Sequence, residues 1–243
     1  MPSVATPTTG PHAVVRPVFN GWMQPDDAPE PLAVRGRPHD VRGYPVPAIT
    51  PWHDGVPMFA ATSTARTLIC AVERRCSICG TPFGYGPVWR VVAADEASAM
   101  VSAQSSGQTY LNRAGTAEAP GHLACMTYAA MVCPYLARPN ARRGTDVRIG
   151  EFAAARGTAR GELDGIGGAV AGLETYEFEV GDEVTFRFSG LVSVRPHRLG
   201  AEHRPALRNL LEASDMPVPA PDDYPPYLMA DESAAERRAA QYR

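Results

Sequence analysis

Residues 74–86 read RRCSICGTPFGYG, and the fold turns on what the two cysteines in this stretch do. Cys76 and Cys79 could be a redox pair, half of a metal site, or two small residues in a tight turn. A redox pair opens a helix within a βαβ unit, where the helix dipole lowers the first thiol's pKa. Here Gly80, Pro82, Gly84, Gly86 and Pro87 follow, and a helix does not start through that composition. A metal site needs two further donors elsewhere in the chain.

The stretch 121–125, GHLAC, supplies them. Pro120 and Gly121 start a predicted helix that Pro134 stops near Cys133. His122 and Cys125 stand three apart on its first turn, so their side chains share a face, and the partial positive charge of the helix N-terminus favours a thiolate there. Cys76, Cys79, His122 and Cys125 together make a Cys3His set, the donor set of a closed, structural zinc site. One pair on a turn and one on a helix's first turn is the treble-clef arrangement. Three thiolates and one Zn²⁺ carry a net charge near −1, so Arg74 and Arg75 are expected beside them. The plain alternative is that Cys76 and Cys79 only build the turn and His122 only caps the helix. Cys133 lies eight residues past Cys125, about 12 Å along a helix; it and Cys70 read as buried core thiols.

Outward from these cysteines the chain reads as α+β. Asp54-Gly55 between two short apolar runs signals a hairpin. Residues 65–75, ARTLICAVERR, form a short helix or strand leading into the Cys76 turn, and 87–94, PVWRVVAA, a strand. The polar, small-residue stretch from Asp95 to Pro120 reads as a hairpin return or loop. Residues 165–172, GIGGAVAG, lack the third glycine of a dinucleotide loop and read as a flexible connector. Alternation on both sides of Gly181-Asp182 predicts a hairpin over 174–194, and Leu207, Leu210 and Leu211 predict a helix within 201–214. The last residues, DESAAERRAAQYR, read as a frayed terminal helix. The expected architecture is therefore small β-hairpins around a treble-clef-like zinc site, plus a C-terminal hairpin and helix. Four segments result: an extended Pro-rich arm (1–43), a zinc module (44–140), a basic and Gly-rich connector (141–173), and a hairpin–helix region with a Pro-rich acidic tail (174–243).

Three blocks, GYPVP from Gly43, RRCSICG, and PGHLACMTYAAMVCPYLARP ending at Pro139, resemble an uncharacterised family of bacterial proteins. Its pattern runs GYPVP, CxxCG, PxHxxCAxxAAxxCPxL. Cys76, Cys79, His122, Cys125 and Cys133 all fall on it, while position 126 is Met where the pattern has Ala. The resemblance covers residues 43–139 and implies a real module without naming a reaction.

Composition narrows the function classes. The 243 residues are 44% hydrophobic, enough to bury a core. All 23 basic residues are arginine, so Schiff-base chemistry and a phosphate-loop lysine are excluded. A formal charge of −3 gives no overall pull towards nucleic acid or anionic membrane. The N-terminus shows no signal-peptide pattern and no stretch is apolar enough to span a bilayer, so the expected location is cytoplasmic, without membrane contact. Neither HExxH nor GxSxG occurs, the deaminase order of His-Glu before Cys-Cys is reversed, and the single histidines His53, His197 and His203 have no partners in sequence. From 121 to 160 six arginines face two acids, a net +4. Weak phosphate contact through Arg138, Arg142 and Arg143 is one reading; pairing with the six acids of 211–232, within the fold or in a partner copy, is the other. The leading expectation is a zinc-stabilised binding protein with a protein, a second copy or nucleic acid as partner. The competing one is a metal- or cofactor-dependent enzyme in which the cysteines are scaffold.

Overall fold

The computed structural model of the chain describes residues 28–110, 115–133, 136, 163, 165–198, 204–213 and 219–243. Helices and small antiparallel sheets alternate, so the fold is α+β. After a one-turn helix α1 (Leu32–Arg35), strands β1 (Trp52–His53) and β2 (Val56–Pro57) form the expected hairpin. Asp54 and Gly55 at its tip both take positive φ, as a two-residue turn of this hand requires.

Helix α2 (Thr64–Val72) resolves the helix-or-strand ambiguity of 65–75. The Ser63 hydroxyl accepts from the Arg66 N–H at its start. At its end Arg74 adopts φ 52° and the Arg75 N–H reaches back to Cys70 O at 2.8 Å, a left-handed cap that aims the chain into the cysteine turn.

Strand β3 (Val88–Ala93), the long strands β4 (Gly168–Val180) and β5 (Val184–His197), and the turn at 181–183 make a three-stranded antiparallel sheet in the order β3-β4-β5. Alternation sorts its two faces. Val88 and Val92 with Ala169, Ala171, Leu173, Phe186 and Phe188 face α2, while Trp89, Val91 and Val170 face the layer that carries the cysteines. Full burial of each large apolar side chain in these two cores stabilises by about 1.5–3 kcal/mol.

Helix α3 (Ala94–Ser106) replaces the expected hairpin return. Its small residues hide the helical signal, but Asp95 and Glu96 in the first turn and Gly107 in the left-handed conformation mark both ends. Ala97 and Met100 anchor it on the sheet.

The connector reading of 165–172 is corrected as well, because β4 begins at Gly168 and is the central strand. A Cβ at Gly172 would lie 2.9 Å from the Trp89 ring. The glycines let two strands and an indole close up; they do not loosen the chain.

Helix α4 (Leu123–Val132) is buried along nearly its whole length, and α5 (Arg204–Glu212) packs Leu207 and Leu211 against it.

Two terminal segments also differ from expectation. Residues 1–27 of the arm lie outside the described residues, but Ala28, Ala33, Val34 and Arg37 are buried in the molecule. The C-terminal helix α6 (Glu232–Ala239) is docked, not frayed: Ala235 and Ala239 are buried against α2. Glu73 receives the Tyr227 and Tyr242 hydroxyls at 2.6 and 2.7 Å and Arg238 Nε at 2.8 Å. Arg66, fully buried, pairs its Nε with Glu232 at 2.6 Å and donates Nη1 to the carbonyls of Ala48, Leu228 and Met229.

Candidate metal centre

Three backbone clamps bring the two halves of the centre together. Ala48 N–H donates to Ile78 O at 2.9 Å, joining the segment after GYPVP to the cysteine turn. Ser77 N–H donates to Pro120 O at 2.9 Å, and its hydroxyl reaches Ala119 O. Trp89 and Gly121 exchange both backbone hydrogen bonds, at 2.8 and 2.9 Å. Strand β3 therefore sets the height at which α4 begins. Gly121 is the tight point, since a Cβ there would run into Met126 Cε and sit 3.2 Å from Cys76 Sγ.

Four donor atoms converge within this frame: Cys76, Cys79, His122 and Cys125 lie with their ligand atoms all within 4.8 Å of one another. The three cysteines are wholly buried and the histidine is half-buried. His122 is the N-cap residue of α4 but makes no side-chain capping bond; its ring is turned to the thiols instead. Nδ1 stands 3.4 Å from Cys79 Sγ and 4.0 Å from Cys125 Sγ. Nε2 lies 3.1 Å from the carbonyl oxygen of Pro82, which places the ring proton on Nε2 and frees the Nδ1 lone pair for a cation. Phe83 supports the ring edge-on at a centroid distance of 5.3 Å.

Around the sulfurs, the backbone N–H groups of Ile78 and His122 point at Cys76 Sγ at 3.4 Å each, and Thr81 Oγ1 lies 3.1 Å from Cys79 Sγ. Donors of this kind stabilise metal-bound thiolates. Electrostatics agree. Burial pushes the Cys76 thiol up, but hydrogen bonds from Cys125 and Cys79 and the charge of His122 carry it well below the usual range. Burial opposes charge on His122, yet the Cys76 thiolate raises its pKa to about 11. Cys125 is pushed well above the usual range by its hydrogen bonds to Cys76 and Cys79 and by burial.

The set fits a tetrahedral cation. Zn–S bonds of about 2.3 Å put ligand sulfurs about 3.8 Å apart at tetrahedral angles, within the observed clustering. No further His, Cys, Asp or Glu joins the cluster among the described residues.

The arginine expectation is corrected here. Arg74 is exposed with its guanidinium 5.1 Å over the Tyr176 ring, and Arg75 is committed to Glu73 and to the carbonyls of Gly80 and Asp223. Neither serves a thiolate. Of the other cysteines, Cys70 is buried in the core as expected. Cys133 ends α4 half-buried and lines a cleft of about 150 Å³ with Tyr44, Ile49, Phe59 and Val132, away from the metal set. Arg138, Arg142 and Arg143 lie outside the described residues. His53 is exposed at the β1–β2 turn.

Sequence reasoning missed Thr81 and the Pro82 carbonyl. Neither belongs to a spacing motif, and both enter through the turn that follows Cys79. No protein-family model, no curated protein and no solved structure matches this chain. No helix among the described residues is long and apolar enough to cross a membrane.

Proposed function

We propose that the chain is a cytoplasmic binding protein whose fold is closed by one structural zinc ion. The observation that carries this reading is the convergence of Cys76, Cys79, His122 and Cys125 within 4.8 Å, from two elements with 42 residues between them in sequence. Zinc suits three thiolates and one imidazole, and a set of four protein donors leaves no position for a substrate. Those four residues hold the ion, Thr81 and the two backbone N–H groups orient the sulfurs, and Pro82 fixes the imidazole tautomer. When bound, the ion supplies folding free energy by tying the cysteine turn to the start of α4. A knuckle turn plus a helix's first turn supports the treble-clef reading, and the resemblance to an uncharacterised bacterial family belongs to the same proposal. Metal analysis of purified protein tests it: one zinc per chain is expected, and a folded chain without metal overturns it.

The partner is a protein, a second copy or, as a second reading, nucleic acid. One observation favours the last. Three acids that stood to neutralise the arginines after α4 are committed elsewhere: Glu232 to Arg66, Asp231 to the N-terminus of α6, and Asp223 to the Ala220 N–H. Replacing Arg138, Arg142 and Arg143 by Gln should flatten the salt dependence of any DNA or RNA retention while zinc content stays unchanged, since each lost phosphate contact removes about 0.9 from the log–log slope on duplex DNA. Retention that survives the triple replacement removes this reading.

A further inference from the structure

Arg37 follows α1 and is 3% exposed. Its Nε donates to Val46 O at 2.9 Å, Nη1 meets only the Met229 thioether at 3.3 Å, and Nη2 is buried with no hydrogen-bond partner. No carboxylate pairs with it among the described residues. The other two buried guanidiniums are paired, Arg66 with Glu232 and Arg90 with Glu96. A buried cation needs a counter-charge nearby, and no carboxylate among the described residues supplies one to Arg37.

The position of the guanidinium says where that charge is. Nη1 stands 3.6 Å from where a Cβ on Gly80 would lie, and Gly80 follows Cys79 in the knuckle. Burial draws the Arg37 pKa down to about 10 and Arg66 adds to that, while Cys70, Cys79 and Cys76 oppose it. Cys70 is itself pushed up by burial and stays a neutral thiol at neutral pH. The other two cysteines whose charge acts on Arg37, Cys79 and Cys76, are metal-site sulfurs. Three thiolates, a neutral imidazole and a dication sum to −1, the charge that balances one guanidinium.

We propose that Arg37 is the counter-charge of the metal centre, a positioning residue that makes the core electrically neutral only when the Cys3His set holds a dication. The inference rests on the zinc reading above. It also gives residues 28–43 a role: this segment delivers the charge that completes the site. Arg37 touches no metal; it acts through the sulfurs.

The test measures zinc affinity by chelator competition, and unfolding midpoints with and without zinc, for the full-length chain and two variants. Arg37→Gln removes the charge and is expected to weaken zinc binding by roughly tenfold or more, lowering the midpoint of the zinc-loaded protein more than that of the metal-free protein. Arg37→Lys keeps the charge but not the fork geometry, and is expected to hold affinity within about threefold of the parent. An Arg37→Gln protein with parental affinity, or with both midpoints lowered equally, overturns the proposal. If Arg37→Gln does not fold, Arg37→Lys decides alone: parental affinity supports the counter-charge, and a tenfold loss overturns it. A parent chain that takes up no zinc removes the centre itself, a result separable from a zinc-binding parent whose Arg37 variants bind equally well.

Discussion

At the scale of single residues, the centre depends on four donors and on the groups within hydrogen-bond distance of them. The surroundings of Cys76 hold its thiol well below the usual range, with two backbone N–H groups and the His122 charge directed at it. Cys76→Ser is therefore expected to lose the metal and the fold together, read as zinc content below one per chain and a lower unfolding midpoint. Cys133→Ala should keep one zinc and cost about 1 kcal/mol or less, because its sulfur sits at the far end of α4 beside a cleft that already holds empty space. Loss of zinc from the Cys133 variant, but not from Cys125→Ala, would show that the wrong sulfur had been assigned. Gly121→Ala pushes a methyl group into Met126 Cε, which must give way, and to 3.2 Å from Cys76 Sγ. It should raise the zinc dissociation rate, measured by transfer to a chelator, with little change in secondary structure.

At the scale of elements, the docking of α6 on α2 relies on two polar anchors, and each has a measurable signature. Glu232 offsets the charge of Arg66, whose side chain is 0% exposed. Glu232→Gln leaves that cation uncompensated and should destabilise by about 3 kcal/mol in denaturant titration. Burial alone would raise the Glu73 carboxyl, but hydrogen bonds from Tyr227, Tyr242, Arg238 and Arg75 bring it down from the ordinary 4.5 to about 2. A carboxyl held low in the folded chain contributes stability above its unfolded pKa and loses it as the pH falls through the folded one. The Glu73 contribution is thus complete above about pH 4.5 and fades towards pH 2. Stability of the parent should fall over that window more steeply than stability of Glu73→Gln, and equal slopes would contradict the anchor.

At the scale of the whole molecule, the cysteines are not an appendage. Cys76, Cys79 and Cys125 belong to the same buried cluster as Trp89, Val91 and Val170 of the sheet, and the opposite face of that sheet carries the second cluster. Removing the metal should therefore lower the stability of both cores in one transition. Chelator-treated protein is expected to lose near-ultraviolet and far-ultraviolet dichroism at a common, reduced midpoint, whereas separate transitions would mean that the metal layer folds independently. Acidification should release the metal as well, because the thiolates and the imidazole must be deprotonated to bind.

The sequence by itself determined what local spacing can encode. Two donors separated by a turn, two on a helix's first turn, the Asp54-Gly55 and Gly181-Asp182 hairpins and the leucines of α5 each need only a few neighbouring residues to be read. Tertiary structure decided the rest, because the deciding partners are far away in the chain. The glycines of 168–172 form a central strand only once Trp89 of β3 lies over them. The small residues of α3 hold a helix because Ala97 and Met100 find the sheet. The C-terminal residues are fixed by acids and arginines that pair across about 165 positions, as Arg66 with Glu232 and Glu73 with Arg238 do. The arginines next to the cysteines turned away to Tyr176 and Glu73, while Arg37, about 40 residues before the first ligand, is buried with Nη1 beside Gly80 of the cysteine turn. Adjacency in sequence sets which groups can share a turn; burial and desolvation select which charges must meet, and they act only through the folded chain.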